Sequence, residues 1–264
     1  MSISEMTYRH GERCMYKKYQ NPYRDRDVFS FGGVSSIDFE IWVMGGVFLD
    51  KPEKDIQFET VQGRNGELII DNGRWKNLSI TYQCGIMWNA LSLYEEFVSK
   101  LLAQSGYQRL YDSFHPETYR MAIIKDPIKA QMNGKDRPGA FDVTFYCKPQ
   151  RFLQDGDHSV SFSESSVLNN MYGYPAKPLI TVYGSGVGNL WVGDTLVEIK
   201  SMTDQITLDC DMCNAYRKVG DGATENLNSS IYTPQFPTLE PGENAISWDG
   251  NIEHVEIIPR WWVL

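Results

Sequence analysis

Phe141-Asp142-Val143-Thr144-Phe145-Tyr146-Cys147-Lys148-Pro149-Gln150-Arg151-Phe152-Leu153 is the stretch from which the fold is read. Phe141, Val143, Phe145 and Cys147 alternate with their neighbours at period two, the signature of a strand with one buried face. Lys148-Pro149 reads as a break, and Gln154-Asp155-Gly156-Asp157 as a turn, which together suggest a domain boundary near residue 153. Beyond it short apolar runs recur between turn signals: Val160–Phe162, Pro178–Tyr183, Asn189–Val192, Thr195–Ile199, Ile206–Asp209, Ala245–Trp248 and Val255–Ile258. Such spacing predicts a β-sandwich over residues 154–264. Residues 219–244, rich in Gly, Asn, Ser, Pro and Thr, read as its long polar loop.

Towards the N-terminus the pattern is again of strands. Phe29-Ser30-Phe31 precedes Gly32-Gly33, and Phe39 to Val43 runs into Gly45-Gly46. Leu68-Ile69-Ile70 leads to Asp71-Asn72-Gly73, where Asn-Gly predicts a type I′ hairpin turn. The strand expected on its far side alternates through Leu78, Ile80, Tyr82, Cys84 and Ile86. Tyr119 to Ile124 is another. One helix is predicted over 89–104, with Leu91, Tyr94, Val98, Leu101 and Leu102 on one face, widened by Phe97. Asn89 is its expected cap and Gly106 its left-handed terminator. The fold class is therefore mostly β with one main helix, in domains 28–153 and 154–264.

The composition agrees. Of 264 residues, 42% are hydrophobic and 13% aromatic, enough for a sizeable core and biased towards strands. The net charge of −9 argues against a protein that coats nucleic acid, which needs a dense cationic surface. Residues 1–27 stand apart, with six basic against four acidic side chains, a net +2 that leaves −11 for the remainder. Met6, Tyr8, Met15, Tyr16 and Tyr19 lie among these charges. This segment reads either as a loose terminal arm or as an arm that orders on an acidic neighbouring subunit. No stretch approaches the roughly 20 apolar residues that span a bilayer, and the N-terminus has no signal-peptide core. A soluble chain without membrane insertion is expected.

The search for chemistry yields little. Asp112, His115 and Glu117 form the best catalytic-looking cluster, but His115 precedes Pro116 in a loop and no second His sits at zinc-protease spacing. Cys210-Asp211-Met212-Cys213 has the spacing of half a zinc site without its other half. With Cys14, Cys84 and Cys147 the cysteines number five, and reduced thiols are the simpler reading. Gly184-Ser185-Gly186-Val187-Gly188 resembles a phosphate loop, but a strand and a turn follow it where a helix is required, so a hairpin is expected. Trp191 and Trp248 sit inside apolar strands and read as core residues before they read as sugar-stacking platforms. No catalytic, cofactor-binding or metal residue is assigned.

Several segments, in order, resemble the siphophage distal tail protein (Dit) family. They are Phe29-Ser30-Phe31 with Ser35 to Phe39, Gly63-Arg64-Asn65-Gly66-Glu67-Leu68 with Asp71-Asn72-Gly73-Arg74, and Gly106 to Ser113 with His115-Pro116. Phe145 to Leu153, Pro175 to Ile180 and Ile257 to Trp262 follow. Lys148-Pro149-Gln150-Arg151-Phe152 and Pro259-Arg260-Trp261-Trp262 are the most specific. Residues 1–27 exceed the short start of the family.

This resemblance implies a structural virion protein of the tail tip, made and assembled in the bacterial host cytoplasm. Its N-terminal domain would close a hexameric ring, and its C-terminal domain would be a galectin-like β-sandwich projecting outward. The ring would join the tail tube protein to the tail-tip hub and to receptor-binding or baseplate proteins, with DNA passing through the channel without sequence-specific binding. Neither cofactor nor catalysis is implied. Arg64 and Arg74, beside Gly-containing turns, would reach carboxylates within or across subunits. The competing readings are a carbohydrate-binding module that contacts the host cell wall and a glycan hydrolase.

Overall fold

The computed structural model describes residues 27–45, 50–87, 89–134 and 137–264. All of the 1–27 arm except Asp27 lies outside the described residues. The elements are β1 (Phe29–Phe31), β2 (Val34–Ser35), β3 (Ile41–Val43), β4 (Lys54–Glu59), β5 (Leu68–Trp75), β6 (Leu78–Ile86), α1 (Ala90–Leu102), β7 (Gln108–Asp112), β8 (Thr118–Ile123), β9 (Lys129–Met132) and β10 (Gly139–Leu153). Then come β11 (Val160–Phe162), β12 (Ser166–Asn170), β13 (Leu179–Gly184), β14 (Gly186–Val192), β15 (Thr195–Met202), β16 (Gln205–Asp209), β17 (Asn214–Lys218), β18 (Thr224–Asn226), β19 (Ile231–Tyr232), β20 (Gly242–Trp248), β21 (Ile252–Ile258) and β22 (Trp262–Val263). The chain divides into two compact units, Met1–Pro116 with Arg120–Pro149, and Glu117–Tyr119 with Gln150–Leu264.

Lys148-Pro149 does not interrupt β10. Pro149 falls after Cys147, the last residue paired with β6, and before Arg151, the first paired with β22. Along the edge shared by β6 and β22, neither of those two ladders asks for the N–H that proline lacks there. Its carbonyl accepts from Arg120 Nη1 at 3.1 Å.

In the first unit the sheet runs β2-β1-β7-β8-β10-β6-β3, with β9 also paired to β10. Phe141, Val143, Phe145 and Cys147 of β10 and Tyr82, Cys84 and Ile86 of β6 turn to one buried side. There Phe29 stacks on Tyr82 with centroids 5.0 Å apart, and Phe97 of α1 meets Phe29, Phe39 and Phe141.

The helix differs in detail from expectation. Leu102 is exposed, and Phe97, Leu101 and Ala90 are what it buries. Asn89 is left-handed at φ 46° and makes no side-chain cap; its carbonyl accepts the Leu93 N–H. Gly106 is left-handed at φ 66°, but it does not end the helix, which stops at Leu102 with Ala103 as its cap. The expected strand from Phe39 begins only at Ile41, because Ser36–Phe39 is a 3-10 turn closed by left-handed Glu40.

The Asp71-Asn72-Gly73 prediction fails. Those residues lie within β5, which pairs with β4, while β6 pairs with β10 and β3. The register slips between Lys54 and Ile56, so the left-handed Gly73 serves a bulge and not a hairpin turn. Asp71 Oδ1 accepts the Gly73 N–H at 2.8 Å, which stabilises that bulge.

In the second unit two antiparallel sheets, β11-β21-β13-β16-β17-β18 and β12-β20-β14-β15-β19, form a sandwich. Ile180, Val182, Ile206 and Leu208 of one sheet and Leu190, Val192, Val197 and Ile246 of the other join a single core. Residues 219–244 are less irregular than expected, since they contain β18 and β19. The two most family-specific motifs turn out to be strand partners: Arg151 pairs with Val263 and Phe152 with Trp262. Trp262 Nε1 donates to the Pro175 carbonyl at 2.9 Å and its ring stacks on Tyr174. Arg260, left-handed at φ 58°, forks onto Asp209 at 2.8 and 3.1 Å. Burial opposes ionisation of Asp209, but the Arg260 bonds and charge and the N–H groups of Met212 and Asp211 outweigh it, and the carboxyl stays below its ordinary value.

Candidate functional site

Of the catalytic-looking cluster, Asp112 and His115 come together and Glu117 belongs to the other unit. Asp112 Oδ2 accepts the Tyr82 hydroxyl at 2.7 Å, and Oδ1 accepts the N–H groups of Phe114 and His115. His115 Nδ1 lies 3.3 Å from the same oxygen. The carboxylate is thus consumed in closing the turn after β7. Burial, reinforced by Asp112, pushes the Tyr82 phenol well above its usual value, so it stays a neutral donor.

Cys210 is buried and Cys213 exposed, with the Cys213 thiol near the Cys210 carbonyl at 3.7 Å. Among the described residues no group of three His, Cys, Asp or Glu side chains is placed to hold a metal. Burial raises the Cys84, Cys147 and Cys210 thiols, Cys147 to about 12, which removes thiolate reactivity.

The Gly184 to Gly188 segment is not a hairpin turn: β13 and β14 belong to different sheets, and the chain crosses between them here. A Cβ on Gly184 would lie 2.1 Å from the Asn251 carbonyl oxygen, and one on Gly188 2.8 Å from that of Asp249. These glycines admit the β20–β21 turn, not a phosphate. The hairpin in this region is β14–β15, turned at Gly193.

The feature that stands out is β4–β5. This ribbon pairs with no other strand among the described residues. Phe58 pairs with Ile69, Gln57 with Ile70 and Glu59 with Leu68. Alternation then puts Phe58 and Ile69 on one face, Leu68 and Ile70 on the other. Phe58 is 60% exposed and Ile69 66%, and Leu68 and Ile70 are also exposed. The base is braced by ions: Arg74 Nε donates to Asp55 at 2.7 Å, Lys54 to Asp71 at 3.2 Å and Lys76 to Glu53 at 3.1 Å. The Arg74 hydrogen bond holds the Asp55 carboxyl below its ordinary value. Arg74 therefore does reach a carboxylate within the chain, while Arg64 stands exposed in the loop joining the strands. The signal in the sequence was Leu68-Ile69-Ile70 itself, since three consecutive apolar residues in a strand occupy both faces.

Trp191 and Trp248 part company. Trp248 packs partly buried against the sandwich core. Trp191 does not belong to the core: it lies between the inward Leu190 and Val192, half-buried on the outer face of the five-stranded sheet.

Among the described residues, a sheet with one α-helix followed by a two-sheet sandwich makes up the fold, and it is similar to that of a phage Dit protein. The crystal structure of the SPP1 Dit (gp 19.1) protein, described as a paradigm of the hub adsorption apparatus in phages infecting Gram-positive bacteria, is similar with a TM-score of 0.64. The match covers 88% of this chain and 97% of that one, at 13% sequence identity. No family model matches the chain, and no curated protein matches it.

Proposed function

We propose that this chain is a structural hub of a long-tailed phage, closing as a hexameric ring through residues 28–153 at the tail tip. The ring joins the tail tube protein to the tip hub and to baseplate or receptor-binding proteins. DNA passes through its channel without sequence readout. The sandwich of residues 154–264 is the galectin-like domain projecting from it. The protein performs no catalysis and uses no cofactor.

The observation that carries this reading is the β4–β5 ribbon. A lone two-stranded ribbon is marginal in water, and one with apolar side chains on both faces is worse placed still. A second copy that grips the ribbon on both faces removes that exposure, and repetition of the same contact head-to-tail closes a ring. The likeness to the SPP1 hub protein over nearly the whole of both chains supports the same role.

Sedimentation of the full chain over a range of concentrations, with mass measurement, tests it. A species of six copies is expected. A chain that stays monomeric at high concentration, and is also single in assembled tails, refutes the ring.

A further inference from the structure

The two sheets of the sandwich end in four strands, and β12 is unlike the other three. It is 5 residues long, against 3 for β11 and β18 and 2 for β19. Its ladder to β20 runs from Ser166 opposite Ile246 to Asn170 opposite Gly242 without a bulge, and among the described residues it pairs with no further strand. Ser166-Val167-Leu168-Asn169-Asn170 contains no charge and no proline. Bulges, lysines, prolines and shortness are how proteins keep an edge from recruiting another strand, and β12 has none of them. Its outward N–H and C=O groups can take a further strand, a mode whose affinity comes from main-chain hydrogen bonds.

The surroundings select the strand. Val167 is 54% exposed and pairs with the exposed Ala245, which gives the edge a small apolar patch on the outer side of the sheet. Beside it Asn169 pairs with the exposed Glu243, and Glu164 stands exposed two residues before the strand. Residues 159–176 and 219–259, which hold β12, β20 and their flanks, carry one and seven acidic side chains and no lysine or arginine. A strand with both basic and apolar side chains complements this edge. A second copy of β12 is disfavoured, because it would bring two such acidic surroundings together.

We propose that the occupant is the N-terminal segment of this chain, residues 1–26, which adds a strand to β12 through Met15 to Tyr19. This goes beyond the ring and does not depend on it. The segment holds six basic against three acidic side chains, a net charge of +3, and from Arg13 to Tyr19 it has no acidic residue. In an extended chain Met15, Lys17 and Tyr19 fall on one side. With Lys17 beside Asn169, an apolar neighbour of Lys17 lies beside Val167. Lys17 then stands two strand spacings, about 10 Å, from Glu243, within the combined reach of the two side chains. Exposed ion pairs hold weakly, so the ladder and the apolar contact carry the docking and the charges choose the partner.

Hydrogen exchange read by mass spectrometry tests this on the full chain, against a full-length variant carrying Arg13→Glu, Lys17→Glu and Lys18→Glu. The amides of β12 are expected to exchange about tenfold or more faster in the variant, at an unchanged melting temperature. Val167→Lys, which sets a like charge on the edge, should release them to the same extent. In the parent, a zero-length carbodiimide is expected to join Lys17 or Lys18 to Glu243 or Glu164. If Val167→Lys does not fold, the charge-reversed arm decides alone. The proposal is overturned if β12 exchanges alike in the parent and the charge-reversed variant, or if Lys17 and Lys18 cross-link only to other carboxylates or not at all.

Discussion

Replacing Phe58 and Ile69 by threonine strips one face of the β4–β5 ribbon while keeping residues that favour strands. Full burial of such side chains contributes about 1.5–3 kcal/mol each. With 60% and 66% of their surfaces still in water, what a partner could cover is about 1–2 kcal/mol apiece. The pair is therefore expected to weaken each subunit contact by about 2–4 kcal/mol, or roughly 30- to 700-fold. Within the monomer only a cross-strand pair is lost, about 0.2–1 kcal/mol, so melting should hardly move. Sedimentation equilibrium reads the first effect and thermal unfolding the second. Met171→Gln, an exposed site in the other unit, serves as control and should leave assembly alone. If the double variant assembles at the parental concentration, the ribbon is not the contact and the argument built on it is wrong.

Arg260→Ala is expected to destabilise the protein by about 3 kcal/mol, the low end for breaking a buried pair, because the arginine keeps 26% of its side chain exposed. Asp209 has a depressed folded pKa, so its contribution is full above the ordinary value of 3.8 and fades as the pH falls through the folded value. Chemical denaturation from pH 7 to 2 should show the gap between parent and variant closing only at that acid end; a gap independent of pH counts against the pair. Gly184→Ala is expected to cost about 1–3 kcal/mol or more by overpacking against Asn251, read from a urea midpoint, and a neutral result would mean that the sheet-crossing corner can yield. In the native state Cys213 should label with a thiol reagent mapped by mass spectrometry, while Cys84, Cys147 and Cys210 stay protected until unfolding. Fast native labelling of Cys210 would contradict its burial.

Where one face of a strand is buried and the other wet, the residues announce it. Phe141 to Cys147 and Leu78 to Ile86 are such strands, and both pack on the core as their alternation requires. Where apolar residues run consecutively, parity is silent. Leu190-Trp191-Val192 reads as core throughout, yet only the outer two turn inward. Leu68-Ile69-Ile70 likewise looks like a buried strand and is an exposed one. Local turn chemistry is just as ambiguous: Asn72-Gly73 supports left-handed backbone equally in a hairpin and in a bulge, and only the pairing of β5 with β4 decides. The exposed ribbon was hidden for the same reason, since an apolar side chain that stands in solvent has the same composition as one already buried.

The pairing of β22 with the end of β10 has a consequence for how the protein is made. Arg151 Nη2 meets the Leu264 carbonyl across 113 residues of intervening chain. Closing so long a span costs about 4 kcal/mol in chain entropy, recovered only once the strands on either side have docked. During synthesis the edge at Arg151 and Phe152 thus waits unpaired on the ribosome until Trp262 and Val263 emerge, more than a hundred codons later. A stalled or prematurely terminated product would keep that edge open and Trp262 absent from its place beside Pro175, a form that proteases could recognise.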